Sequence, residues 1–261
     1  MKYAVYQMDI VAGNPEKNRK KVKTWLETVV TTEKPDIVVL PEMWTTAYTL
    51  SQLEEVADCD GELTVSFLQQ IAKDYCIHII GGSVANQKEG GFYNSALVID
   101  QNGTLVYQYD KIHLVPMLDE PRYLTGGKQK AEVFELNGVK MGLIICYDLR
   151  FPELARKLAL EGAQVLHVVA EWPSARKNHW KTLQLARAIE NQLFVVSSNR
   201  IGHYDGVDFA GTSMIIDPWG NVIKTGSEDR EETLVAEIPL EQVAQIRKDV
   251  PVFASRVPEL Y

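Results

Sequence analysis

The sequence is poor in cysteine. Its three residues, Cys59, Cys76 and Cys146, are too few and too scattered for a disulfide framework, and no CxxC pair offers zinc ligands. No two of the five histidines stand in a His-x-x-x-His pair, so neither a metal centre nor a cofactor is expected. No apolar run approaches the roughly 20 residues of a membrane span. The N-terminal stretch MKYAVYQMDIVAGNP lacks the long apolar core and small-residue cleavage site of a signal peptide. Positive charge is in deficit: 27 Lys and Arg against 35 Asp and Glu leave a net charge of −8. That balance argues against nucleic acid or an anionic membrane as the main partner. The cysteine usage fits a cytoplasmic protein that keeps its thiols reduced.

Internal repeats, low-complexity stretches and Pro/Ser linkers are also missing. The 261 residues suffice for one large α/β domain or two small ones. Without a linker, one domain over 1–261 is expected.

What is present alternates between helix and strand patterns. YAVYQMDI reads as a strand, and PEKNRKKVKTWLETVV as a helix capped by Asn14 with Pro15 in its first turn. DIVVLPE is a buried strand, because its apolar residues run without alternation. ELTVSFLQQIAKDY is helical and CIHIIGGSV returns as a strand. Three hairpins are marked by Asn102-Gly103, Asn137-Gly138 and Trp219-Gly220-Asn221. PELARKLALEG forms a helix from Pro152 to a Gly162 cap, and ARKNHWKTLQLARAIENQ another. The mixture predicts two largely antiparallel sheets packed face to face, with helices outside. The tail RKDVPVFASRVPELY reads as extended, free to dock on a neighbour.

Three segments carry chemistry. DIVVLPE leads into Glu42, YQYDKIHL holds Lys111, and MGLIICYD holds Cys146. Strand ends can bring such side chains into one cleft while the strands hold position. A desolvated carboxylate serves as base or acid near neutral pH. A fixed ammonium steadies a negative oxygen. A thiol at a strand-to-helix elbow, near a positive helix end, is favoured as thiolate. Together these residues would make a nucleophilic hydrolase that needs neither metal nor histidine. Each also has a plain reading: a buried structural cysteine, a solvated loop glutamate, an edge-strand lysine. Glu120, in the loop VPMLDEPRYLTGG, is a second carboxylate able to hold the lysine and position water. Cys59 and Cys76 lack such a context.

The ordered set PE at 41–42, DKIHL at 110–114 and CYDLRFPE at 146–153 resembles the nitrilase, or carbon–nitrogen hydrolase, superfamily. The resemblance extends to GGSV at 81–84, FYNSALVID, EWPSARKNHW at 171–180, ARAIENQ and SSNRIG, and so covers nearly the whole chain. It implies a four-layer αββα sandwich that commonly dimerises, hence a homodimer or higher homo-oligomer. It implies a Glu–Lys–Cys triad at Glu42, Lys111 and Cys146, with Glu120 as the second glutamate. PEMWTTAY, EWPSARKNHW and the short loop after Lys111 look most like the ω-amidases, which cleave 2-oxo acid monoamides. One position departs: Glu171 stands where such sequences more often carry Asn. An extra carboxylate in the pocket would disfavour an anionic substrate, unless it points away or pairs with Arg176.

The expected reaction is hydrolysis of the side-chain amide of 2-oxoglutaramate or 2-oxosuccinamate through a cysteine thioester. The backbone N–H of Tyr147 would join Lys111 at the oxyanion. Arg150 or Arg176 would grip the distal carboxylate as a fork, with Arg150 alternatively a structural partner of Asp148 or Glu153. Trp44, Tyr48 and Trp172 would wall a compact pocket, or serve as core. Rival readings are an aliphatic nitrilase, a carbamoylase or a general amidase on the same triad. A binding module without catalysis is the rival of another class. His113 and His179 belong to no local protease signature.

Overall fold

The structure, a computed structural model, describes residues 1–260. Two sheets carry the molecule. One orders its main strands Glu232–Glu237, Lys2–Gln7, Ile37–Val39, His78–Lys88, Gly91–Ile99 and Leu105–Asp110. The other runs Val222–Thr225, Met214–Ile216, Phe194–Asn199, Val165–Ala170, Val139–Ile145 and Phe134–Leu136. The sheets are mixed rather than largely antiparallel. Ile37–Val39 and Val165–Ala170 each lie parallel to both neighbours. Parallel neighbours need a crossover, and the helices Pro15–Thr32, Glu62–Tyr75, Pro152–Leu160 and Lys177–Asn191 supply it. All three hairpins form at the expected turns.

Period-two alternation builds the layers. From the first strand, Tyr3 and Val5 turn into a core shared with Met141, Leu143 and Val165 of the second sheet. Ala4 and Tyr6 turn the other way, onto Val22, Leu26 and Leu68 of two outer helices. Helix 15–32 buries one stripe, and the Asn14 side chain accepts from the N–H of Lys17 to cap it. On the far side, a Cβ at Gly142 would collide with Leu158, so the Pro152–Leu160 helix sits tight on its sheet. Helix, sheet, sheet, helix is the αββα order expected.

Between the sheets lies a buried histidine. His167 Nδ1 lies 3.1 Å from the Gly142 carbonyl and Nε2 lies 3.2 Å from the Tyr3 hydroxyl. Burial pulls its pKa down to about 4, so the ring stays neutral and ties one sheet to the other.

The C-terminal segment departs from expectation. Glu241–Asp249 is a helix, because Val243 and Ile246 find core on one face. Beyond it the chain folds on itself, with Phe253 under Arg156 and Arg247. Cys59 and Cys76 are exposed. No helix among the described residues is long and apolar enough to cross a membrane.

Candidate active site

Glu42, Cys146 and Glu171 all follow the carboxyl ends of neighbouring or facing strands, the usual place for a ligand crevice in α/β sheets. Glu42 lies in a tight turn. Ser83 N–H donates to the Pro41 carbonyl, and Met43 N–H donates to Ser83 Oγ. Gly82, at φ +61°, lets the Pro41 carbonyl approach where any Cβ would collide. The Glu42 carboxylate is fully buried. Its Oε1 accepts from Lys111 Nζ at 2.9 Å and from Asn94 Nδ2 at 2.8 Å. Its Oε2 accepts from the backbone N–H of Glu171 at 2.7 Å.

Lys111 sits one residue past the Leu105–Asp110 strand, its N–H donating to the Asn94 carbonyl. It is fully buried, not a solvated edge charge. Its Nζ lies 2.7 Å from Glu120 Oε1. Burial alone would lower its pKa; the carboxylates of Glu120 and Glu42 outweigh that and hold it well above the usual lysine range. Glu120 is not a loop glutamate. It opens the one-turn helix Glu120–Tyr123, is fully buried, and takes the Val115 N–H on Oε2 at 2.6 Å. Burial pushes its pKa up, against the pull of Lys111. The Tyr48 hydroxyl stands 2.8 Å from Glu42 Oε1 and 2.6 Å from Glu120 Oε1. Its one proton serves either carboxylate, and burial raises its pKa further.

Cys146 follows the Val139–Ile145 strand in a left-handed conformation, φ +45°. A non-glycine residue held there stores about 1–3 kcal/mol of strain. Asp148 holds the elbow. It accepts from the Ile145 N–H, the Tyr109 hydroxyl and the His113 N–H, and lies 2.8 Å from His113 Nδ1. His113 in turn stacks on Phe151 at 3.5 Å. The pull of the elbow towards thiolate is outweighed. Burial first, then the charge of Glu42, raise the Cys146 pKa well above the thiol range, and Lys111 does not offset them. The resting group is a thiol beside a carboxylate able to take its proton.

The cavity at Cys146 is small, about 10 Å³, with Tyr147, Arg150, Trp172 and Arg176 in its wall. Met117 and Leu118 separate it from a cavity of about 340 Å³ lined by Tyr48, Tyr123 and Tyr204. Arg150 pairs with neither Asp148 nor Glu153; its guanidinium lies 4.6 Å above the Trp172 ring. Trp172 Nε1 donates to the Arg176 carbonyl. Trp44 is no part of this wall. Its indole is buried against Phe67 and donates to the Gly81 carbonyl, because the turn at Met43 sends it to the outer-helix core. Tyr48 belongs to the acid–base cluster as well as to the larger cavity.

Glu171 is absent from the Cys146 wall, and its partner is Arg200, not Arg176. Arg200 Nη1 lies 3.0 Å from Glu171 Oε2, and Nη2 donates to the Ile10 carbonyl. Burial pushes the Glu171 carboxyl up to about 8 despite that guanidinium. Sequence reasoning missed Asn94, Asp148, Arg200 and the N–H groups of Glu171 and Val115 as supports. A polar Asn94 within an apolar strand run was the one available signal.

The carbon–nitrogen hydrolase family model matches residues 2–248. The chain is 45% identical over 256 residues to a 2-oxoglutaramate amidase of Bacillus subtilis, covering 98% of this chain and 97% of that one. It is 36% identical over 236 residues to the omega-amidase NIT2 of Xenopus tropicalis, covering 86% and 84%. A crystal structure of a carbon–nitrogen hydrolase from Helicobacter pylori G27 superposes with a TM-score of 0.92 at 26% identity, covering 100% of this chain and 96% of that one.

Proposed function

Since the chain belongs to the carbon–nitrogen hydrolase family, we propose that it is an ω-amidase, hydrolysing the side-chain amide of a small 2-oxo acid monoamide, 2-oxoglutaramate foremost. One observation carries the reading. A buried thiol, carboxylate and ammonium meet beside a pocket whose wall holds two arginines, Arg150 and Arg176, that no carboxylate of the described residues neutralises. Such a wall suits a substrate with an amide at one end and a carboxylate at the other.

In the proposed mechanism Glu42 takes the Cys146 proton as sulfur attacks the amide carbon. Lys111 Nζ and the Tyr147 backbone N–H hold the oxyanion. Protonated Glu42 returns its proton to the nitrogen, ammonia leaves, and a thioester remains. Water, deprotonated by Glu42 and positioned with Glu120, adds to the thioester. The thiolate leaves, regains the proton, and the dicarboxylate departs. Tyr48 and Asn94 hold the Glu42 carboxylate in line for both halves.

We read 1–261 as one such hydrolase domain, working in the cytoplasm as a homodimer. The exposed apolar side chains of Ile189, Trp219, Val222 and Ile223 support that reading.

An ammonia-release panel tests the reading: 2-oxoglutaramate, 2-oxosuccinamate, pentanamide, an aliphatic nitrile and an N-carbamoyl acid. The oxo acid amides should give the highest kcat/KM. A preference for pentanamide or the nitrile would replace the ω-amidase reading with a general amidase or nitrilase.

A further inference from the structure

Arg150 is held in a way the catalytic cluster does not explain. No carboxylate of the described residues pairs with it. Its guanidinium lies 4.6 Å above Trp172 and 5.6 Å from the Tyr147 ring. Its Nε is buried without a hydrogen-bond partner. Its Nη1 lies 3.3 Å from Nδ1 of His179. A guanidinium has donors only. The contact is therefore a hydrogen bond only when Nδ1 carries a lone pair, with the imidazole neutral and its proton on Nε2.

His179 stands on the Lys177–Asn191 helix, outside the acid–base cluster. Its neighbour Trp180 is buried and donates to the Thr212 carbonyl, so the helix gives His179 a firm base. His179 itself is exposed. It follows Arg176 by three residues, so Arg150 reaches out between the pocket and this helix end.

We infer that His179 is a positioning residue for substrate selection: it takes Nη1 of Arg150 and leaves the Nε edge of the fork for the carboxylate of the substrate. The inference rests on the distal-carboxylate reading above. An arginine side chain has many rotamers to lose. Without an acceptor at Nη1, the fork loses one of the contacts that hold it at the pocket wall before substrate arrives. The cost then falls on binding of the anionic end and not on the chemical step, which Arg150 does not touch.

The test compares wild type, His179→Ala and His179→Asn on 2-oxoglutaramate and pentanamide. Asn Oδ1 replaces the Nδ1 acceptor. Both substitutions are at an exposed position, and melting temperatures should stay near wild type. Loss of one net hydrogen bond corresponds to roughly three- to tenfold. His179→Ala should raise KM for 2-oxoglutaramate by about that factor, leave kcat on it unchanged, and leave pentanamide kinetics unchanged. His179→Asn should restore most of the KM. Equal losses on both substrates, an unaltered KM in the Ala variant, or no rescue by Asn would overturn the role of His179 while leaving the ω-amidase reading standing. A wild type that prefers pentanamide overturns both.

Discussion

The backbone N–H of Glu171 donates to Glu42 Oε2 at 2.7 Å, while the Glu171 side chain pairs with Arg200. One residue thus clamps the proposed base with its main chain and ties two segments with its carboxyl group. Its main-chain role survives substitution and its side-chain role does not. Glu171→Asn should therefore keep the wild-type ratio of oxo acid amide to neutral amide. It should also lower stability, because taking the acceptor from the buried Arg200 guanidinium costs about 1–3 kcal/mol. Urea midpoints and kcat/KM on both substrates measure the two effects. A sharpened preference for the anion at undiminished stability would place the carboxyl in the pocket after all.

Cys146→Ala should abolish ammonia release with the fold intact, since the proposed thioester needs the sulfur. Cys59→Ser and Cys76→Ser should stay active, because both thiols lie away from the cluster at exposed positions. Residual turnover by a folded Cys146→Ala enzyme would end the thioester mechanism.

Lys111→Met removes the proposed oxyanion charge and leaves Glu42 and Glu120 facing each other without a cation. Loss of an oxyanion donor typically costs roughly 10²–10³ in rate, so kcat should fall by that order. The variant should also be less stable than wild type at neutral pH and recover relative to it in mild acid, where one carboxyl group can take a proton. An effect confined to KM would reduce Lys111 to a binding residue.

Arg150→Ala and Arg176→Ala separate grip from scaffold. The arginine that holds the distal carboxylate should lose about ten- to a hundredfold in kcat/KM on the oxo acid amide and little on pentanamide. An arginine that serves the fold should depress both equally and lower the melting temperature.

His167 predicts an acid limb of stability. Its folded pKa of about 4 lies below the ordinary histidine value of 6.5. Between those values the unfolded chain binds the extra proton and the folded one does not. The contribution of this ring is therefore flat above about pH 6.5, falls as pH drops, and has lost about 3 kcal/mol near pH 4. His167→Gln should lack this part of the slope in urea titrations across that window. A slope identical to wild type would show that the ring is not the titrating group.

Much of the architecture is legible along the chain, because its causes are local. Asn102-Gly103 and Asn137-Gly138 make hairpins by backbone preference, and Asn14-Pro15 opens a helix by capping. Glu42, Lys111 and Cys146 can be singled out because each follows or ends an apolar run. The parallel centre of each sheet is less visible, since strand direction depends on crossovers and not on composition. The partners of the site are not visible at all. Asn94 lies 52 residues from Glu42 in sequence, and Glu171 lies 129 away. No periodicity links positions so distant. Only the packing of two sheets decides that Trp44 turns to core, that Glu171 finds Arg200, and that the Cys146 thiol lies dry enough to keep its proton. Residue type set which chemistry was available. Tertiary burial, by removing water and choosing neighbours, decided the charge state in which each group waits.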